Sequence, residues 1–310
     1  MKKIYLMLEL FFLISASSIY GQRIWGNPIG QYSYNPAGAA MNDLGEITTS
    51  YYRNYISAIN SPRGFLLTAS SPFTNNNVGA GFRFTSESGG VLENVMAEGT
   101  FVYKVQTGRN AKLSFGLSAV YNQMGINSSL VNAQDPNDPI LILTAEAGSW
   151  FDTNFGISFY QTNKYYVGLA AYNLMGQQTN WLLAGFNNRS ARLGSFTGMY
   201  TLDLFQGKGK LETSGVCLAY LSQDKYSLST MSYDISSRLI FNKSFWIGSG
   251  YSNHMAKLIC GVSVQNLSVG YAGAIGVGAI ASSSYTFPKH ELFLKVELDT
   301  SKSSRKNANR

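Results

Sequence analysis

The chain has 310 residues and a formal net charge of +7, and 45% of its residues are hydrophobic, 14% aromatic and only 13% charged. Because a typical soluble domain carries about 25% charged residues, this composition argues against an ordinary water-exposed surface and favours a chain that buries much of its surface or faces lipid. The only two cysteines, Cys217 and Cys260, exclude a disulfide scaffold and are expected to be unpaired, with a single bridge between them as the alternative.

The first element in chain order is a segment typical of a secretory signal peptide. Residues 1–21 begin with two lysines, continue with a short apolar run that Glu9 interrupts, and end in small residues. The apolar run is too short for a transmembrane helix. We therefore expect residues 1–21 to be removed and the mature chain to begin at Gln22.

The next segment, residues 22–45, is irregular. Its stretch QYSYNPAGAAMND, residues 31–43, fits neither a strand nor an amphipathic helix. Pro36 cannot donate to a strand ladder, while Gly38 and the alanines after it permit close packing. We expect an ordered segment here, and a loose linker is the alternative.

From residue 46 to residue 298 the dominant signal is alternation with a period of two. In LSFGLSAVY, for example, Leu113, Phe115 and Leu117 share one face and Ser114 and Gly116 the other. Such alternation predicts strands with one apolar face. About 14 strands are predicted, at residues 46–55, 65–72, 78–86, 95–106, 112–122, 153–161, 164–172, 191–203, 212–222, 226–241, 245–252, 257–264, 267–275 and 289–298.

The connections between these strands indicate the architecture. Every second connection is a tight turn, whereas others, notably 123–152, 173–190 and 276–288, are long. This asymmetry is typical of bacterial outer-membrane barrels, whose short turns lie in the periplasm. A secreted β-sandwich is the structural alternative, but its solvent face would carry more charge than the Gly, Ser, Ala and Asn found here.

The prediction is therefore an all-β protein, an antiparallel transmembrane β-barrel in the outer membrane formed by residues 46–298. Residues 22–45 would form a plug-like luminal segment or a periplasmic one, and residues 299–310 a basic periplasmic tail. The candidate partner-binding residues lie in these two flanking segments: Gln31, Tyr32, Asn35, Pro36, Lys302, Arg305 and Lys306.

Little in the sequence points to catalysis, a metal or a nucleic acid. The sequence has two histidines, His254 and His290, but no spacing between them and a serine supports a catalytic Ser–His pair. The nucleophile motif G-x-S-x-G is absent. The stretch DPNDP at 135–139 is expected to be a turn rather than a calcium site. Because the surplus of basic residues lies mostly in the tail, no nucleic-acid partner is expected. We expect no enzymatic activity and no cofactor.

Several stretches, in their order along the chain, resemble the motifs of one known family. GQYSYNPAGAA, NSPRGFLLTASSPF, WFDTNFGISFYQTNKYYVGLAAYNL and HELFLKVEL resemble motifs of the PorP/SprF-like outer-membrane proteins of the type IX secretion and gliding machinery. Departures include Tyr55, where a Trp is common. The resemblance implies a non-enzymatic barrel in the outer-membrane bilayer, within a larger complex, that binds a secreted client or adhesin or a periplasmic ring component.

The alternative function is a transporter of hydrophobic small molecules. Fatty-acid channels of the outer membrane are similar in strand number and in an Asn-Pro-Ala segment folded into the lumen. A lumen lined continuously with apolar residues would favour the transporter. A lumen filled by small residues and the N-terminal segment would favour the binding protein, and the predominance of Gly, Ser and Ala on the less apolar face favours this second function.

Overall fold

The computed structural model describes residues 30–54, 60–73, 77–127, 130, 148–176, 178–179, 188–189, 192–221, 231–253, 255–277 and 289–298. The predicted signal peptide, the basic tail, the DPNDP stretch and His254 lie outside the described residues. Among the residues that are described, no helix is long and apolar enough to cross a membrane.

Fourteen antiparallel strands form one closed barrel, in which the first strand pairs with both the second and the last. The labels β8 and β9 belong to two short strands outside the barrel. The barrel strands are β1 (Gly45–Asn54), β2 (Arg63–Pro72), β3 (Val78–Gly89), β4 (Leu92–Gln106), β5 (Lys112–Ile126), β6 (Gly148–Gln161), β7 (Tyr165–Tyr172), β10 (Arg192–Leu204), β11 (Gly209–Leu221), β12 (Ser232–Phe241), β13 (Phe245–Ser252), β14 (Met255–Val264), β15 (Leu267–Gly276) and β16 (Lys289–Leu298). The predicted fold is confirmed, and the single closed sheet rules out the sandwich.

Several details differ from the prediction, among them the bounds of β5, which ends at Ile126, and of β6, which begins at Gly148. The connection between β7 and β10 contains a separate two-stranded sheet, β8 (Gln178–Thr179) with β9 (Asn188–Arg189). In addition, β3 and β4 extend toward each other, so only Gly90 and Val91 separate them. Gly90 has φ of +60°, a conformation that glycine adopts without strain, and this permits a tight turn where a longer one was predicted.

The alternation places apolar side chains outside the barrel and small or polar ones inside. On β5, Leu117 is 58% exposed whereas the next residue, Ser118, is 1% exposed. The same inversion holds on β6, where Phe155 and Phe159 point outward and Ser158 inward. Cys217 and Cys260 are both free. An apolar exterior around a polar interior is the arrangement of a barrel that faces lipid.

The two ends of the barrel differ. The connections 73–77, 107–111, 162–164, 205–208, 242–244 and 265–266 lie at the end where β1 begins and β16 ends, with Gly45 paired to Leu298. We call this the short-turn end. At the opposite end, here called the long-loop end, the strands are joined by the longer connections 55–62, 127–147, 173–191, 222–231 and 277–288 and by two short ones, 90–91 and 253–254. The predicted asymmetry of connections is thus present.

Candidate functional site

The described residues of the irregular N-terminal segment include a stretch that lies inside the barrel. Residues 31–40, here called the luminal plug, form two short 3-10 turns, Gln31–Ser33 and Pro36–Gly38. Pro36 occupies the first position of the second turn, where its missing N–H is not needed. Asn35 caps that turn, because its Oδ1 accepts a hydrogen bond of 2.8 Å from the backbone N–H of Ala37.

Asn35 also joins the plug to the barrel wall. Its Nδ2 donates to the carbonyl oxygens of Ile157 in β6 and Leu169 in β7, each at 3.2 Å. These two wall residues are directly paired in the β6–β7 ladder. The side chain of Asn35 is fully buried, so all of its hydrogen bonds are made away from bulk water.

Side chains of the wall donate to the carbonyl oxygens of the plug. Lys104 Nζ donates to Ala40 O at 2.7 Å, and Arg83 Nη1 donates to Ser33 O at 2.9 Å. The remaining donors are hydroxyls, namely Ser114 and Ser158 to Ala37 O, and Ser195 and Tyr172 to Tyr34 O. The wall therefore holds the plug largely through its backbone, at four carbonyl positions between Ser33 and Ala40.

Glycines on the inner wall allow the plug to approach closely. A methyl group on Gly116 would overlap backbone atoms of Pro36 and Ala37, and one on Gly156 would overlap the side chain of Asn35. Gly79, Gly81 and Gly168 likewise lie directly against plug atoms. The inward-facing glycines of β3, β5, β6 and β7 thus form the surface against which the plug packs.

A buried ion pair lies beneath the first turn of the plug. The guanidinium of Arg83 pairs with the carboxylate of Glu98, which also accepts hydrogen bonds from Asn154 and Thr100. The Tyr32 hydroxyl shares a hydrogen bond of 2.8 Å with Thr100. Burial raises the pKa of Tyr32 above its usual range, so this hydroxyl stays protonated.

The structure brings four of the predicted site residues together and leaves three outside the described residues. Gln31, Tyr32, Asn35 and Pro36 are all buried in the lumen. This ordered packing is not that of a loose linker, while partner binding by these residues stays a prediction. Lys302, Arg305 and Lys306 lie outside the described residues.

Sequence reasoning missed the wall residues that hold the plug, chiefly Arg83, Glu98, Lys104 and Tyr172. These residues could have been identified as charged or polar side chains on the small-residue face of an alternating strand. Arg83, for example, stands between Phe82 and Phe84, so it shares a face with Gly79 and Gly81.

Beside the plug, at the short-turn end, lies a cavity of about 560 Å³, here called the vestibule. Its apolar lining includes Trp246 and Phe293, whose rings are stacked with centroids 5.5 Å apart. Three ion pairs also line it: Arg238 with Glu212 at 2.7 Å, and Lys295 both with Glu46 at 2.8 Å and with Glu297 at 3.3 Å. Plug residues Gln31, Tyr32 and Gly38 complete the lining, so plug and wall form this cavity jointly.

Among the described residues, no group of three or more His, Cys, Asp or Glu side chains is placed to hold a metal ion. The described histidine, His290, lies on the outer face and contacts the Tyr271 hydroxyl through Nδ1 at 2.6 Å. The described part of the lumen offers hydrogen-bonding groups, ion pairs and apolar surface.

The chain is similar, at low identity, to several solved structures. The CymD monoaromatic hydrocarbon channel is 10% identical, with a TM-score of 0.49 over 85% of this chain and 90% of that chain. A Pseudomonas aeruginosa FadL homologue is 10% identical, with a TM-score of 0.48 over 86% and 92%. The Pseudomonas putida toluene transporter TodX is 9% identical, with a TM-score of 0.49 over 91% and 95%.

No curated protein matches the chain. The family described as type IX secretion system membrane protein PorP/SprF matches residues 30–296. The matched region begins just before the luminal plug and ends within the last strand, so it includes both the plug and the barrel. The chain therefore belongs to the PorP/SprF family of type IX secretion system membrane proteins and is a β-barrel of the outer membrane.

Proposed function

We propose that this protein is a non-enzymatic component of the type IX secretion system that binds a secreted client protein, such as an adhesin, or a periplasmic ring component. Binding would support export of the client or its attachment to the cell surface. The observation that carries the proposal is the vestibule, which the plug and the wall form together at the short-turn end. In barrels of this class the short turns lie in the periplasm, where such partners are accessible.

The chemistry of the vestibule suits a protein partner. Interfaces commonly combine a buried aromatic or aliphatic anchor site with a polar rim. Here Trp246, Phe293 and Ile240 supply apolar surface, while Lys243 and Glu297 supply charge near the short turns. A partner segment that carries an apolar side chain between charged residues would match this pattern.

The filled lumen supports binding rather than transport of hydrophobic molecules. A transporter needs a continuous apolar path, but the inner face near the plug carries Ser, Thr, Asn and Gly together with the charged Arg83, Glu98 and Lys104, and it makes hydrogen bonds to the plug. Donors from six adjacent strands of the fourteen, β3 to β7 and β10, hold the plug. Passage of a small molecule along these strands would require their contacts with the plug to break.

The test is affinity purification of the tagged full chain from detergent-solubilised outer membranes. We expect the wild-type protein to recover a component of the secretion system or a large secreted protein. Lys243→Glu, on a turn that lines the vestibule, should reduce this recovery. Lys164→Glu is the matched control, because Lys164 is also an exposed lysine in a short turn but does not line the vestibule.

Two outcomes would contradict the proposal. Recovery of no secretion component and no large secreted protein with the wild-type chain would reject the binding function. Equal losses with Lys243→Glu and Lys164→Glu would reject the vestibule as its location. A liposome-swelling assay addresses the transporter directly, since we expect wild-type proteoliposomes to be impermeable to small solutes.

A further inference from the structure

Two arginines lie side by side on the outer surface of the barrel at the long-loop end. Arg53, near the end of β1, and Arg63, at the start of β2, are directly paired in the β1–β2 ladder. Both belong to the outward-facing set of their strands, since their neighbours Asn54 and Gly64 are buried toward the lumen. On the other side of Arg53, His290 of β16 is its paired residue, and it also faces outward.

This row of residues borders the apolar outer surface. Two positions further along the same faces stand Tyr51 on β1, Phe65 on β2 and Leu292 on β16, all of them exposed. Aromatic residues mark the level where such barrels meet the lipid headgroups. The arginines therefore lie at headgroup level on the side of the long loops, which is the cell-surface side.

Arg53 and Arg63 carry like charges at directly opposite positions of neighbouring strands, so positive charge is concentrated there. Each guanidinium is also oriented, because Arg53 Nε donates to Ser61 Oγ and Arg63 Nε donates to Ser88 Oγ, both at 3.0 Å. The planar fork of arginine matches a phosphate group in a two-point contact. Because the two residues are directly paired, their long side chains can both reach one phosphate that lies over this pair.

We propose that Arg53 and Arg63 bind the phosphate group of a lipid in the outer leaflet, with the Tyr271–His290 pair beside them as further hydrogen-bonding groups. A lipid fits better than a free anion, because the apolar surface of Phe65 and Leu292 continues directly from the arginines and would contact acyl chains. This site lies on the outside of the barrel, and the proposal does not rest on the function proposed for the vestibule.

The test is native mass spectrometry of the detergent-solubilised full chain with added bisphosphorylated lipid A. We expect a one-to-one complex with the wild-type protein and a dissociation constant at least about tenfold weaker for Arg53→Gln with Arg63→Gln, which corresponds to about 1.4 kcal/mol. Arg63→Gln alone should give an intermediate value. Arg192→Gln is the matched control, because Arg192 is an exposed arginine at the same end of the barrel that pairs with Leu221 rather than with a second cation.

Three results would overturn the proposal: undiminished binding by the double variant, an equal loss with Arg192→Gln, or equal binding of dephosphorylated lipid A. Competition by inorganic phosphate at concentrations equal to those of the lipid would point to a free-anion site and would also contradict it. Since Arg63 is exposed, its single variant should fold normally, so Arg63→Gln decides the question even if the double variant does not insert.

Discussion

Asn35 of the luminal plug donates its side-chain amide to the carbonyl oxygen of Leu169 at 3.2 Å, although the two residues are 134 positions apart in the chain. The same amide nitrogen contacts Ile157 O, and the amide oxygen caps the turn that begins at Pro36. One side chain therefore joins the local conformation of the plug to two adjacent barrel strands. Its substitution should loosen the plug without breaking a strand of the barrel.

We expect Asn35→Asp to release the luminal plug. The new carboxylate can still cap the turn, but it would place a buried negative charge against the carbonyl oxygens of Ile157 and Leu169, where the amide now donates. A lost buried hydrogen bond that leaves its partner unsatisfied costs about 1–3 kcal/mol, and more where charge is involved. Hydrogen exchange of residues 31–40 in detergent should become faster. Asn42→Asp, a less buried change just beyond the plug, is the control, and equal exchange in both variants would contradict the anchoring role of Asn35.

Gly116→Ala should displace the plug as well. The added methyl group would overlap the backbone of Pro36 and Ala37, which cannot move aside as a flexible side-chain end could. Gly99→Ala is a matched control on the neighbouring strand, because a methyl group there meets no atom within 4 Å. Proteolysis of the solubilised proteins should cleave the N-terminal segment faster in Gly116→Ala only. Resistance equal to that of the wild type would show that the plug does not need this glycine.

The Arg83–Glu98 pair should behave as a coupled unit. Removal of one partner from a buried ion pair costs about 3–5 kcal/mol, because the other charge is left without compensation. We expect Arg83→Met and Glu98→Met each to lower the unfolding midpoint in detergent. The double variant should be less destabilised than the sum of the two single variants. Additive effects in this cycle would mean that the two charges do not stabilise each other.

Both cysteines should be protected from polar reagents in a bilayer. Cys217 pairs with Phe196 and Tyr233, and Cys260 with Ile247 and Tyr271, so each belongs to an apolar outward-facing row. We expect an impermeant charged maleimide to label neither thiol in proteoliposomes and to label both after denaturation. An apolar maleimide should label them without denaturation. Rapid labelling of the folded protein by the charged reagent would place these faces in water.

Deletion of residues 301–310 should leave insertion intact and weaken recovery of a periplasmic partner. The segment carries Lys302, Arg305, Lys306 and Arg310 and no acidic residue, so it can attract a negatively charged surface. Heat-modifiable mobility of the barrel on gels measures folding and insertion, and affinity purification measures recovery of the partner. An equal-length replacement by Gly and Ser is the control for length. Unchanged partner recovery after deletion would reject a role for the tail.

The strands could be predicted closely because their signal is local. Residues that alternate between lipid and lumen repeat every two positions, so a stretch such as LSFGLSAVY indicates a strand without knowledge of its neighbours. The short β8–β9 sheet was missed because two-residue strands carry no such repeat. The extension of β3 and β4 was missed because Gly89 and Gly90 suggested a wider turn than the one that forms.

The sequence by itself determined the barrel, its strand number and the irregular character of residues 31–43, because each depends on residue types near one another in the chain. Only the tertiary structure decided where that irregular segment lies and which side chains hold it. Arg83, Lys104, Ser114 and Ser195 come from four different strands, and closing the sheet brings their donors around one set of plug carbonyls. The register of the β1–β2 hairpin places Arg53 beside Arg63 on the outer wall, since register between strands is a property of the folded sheet.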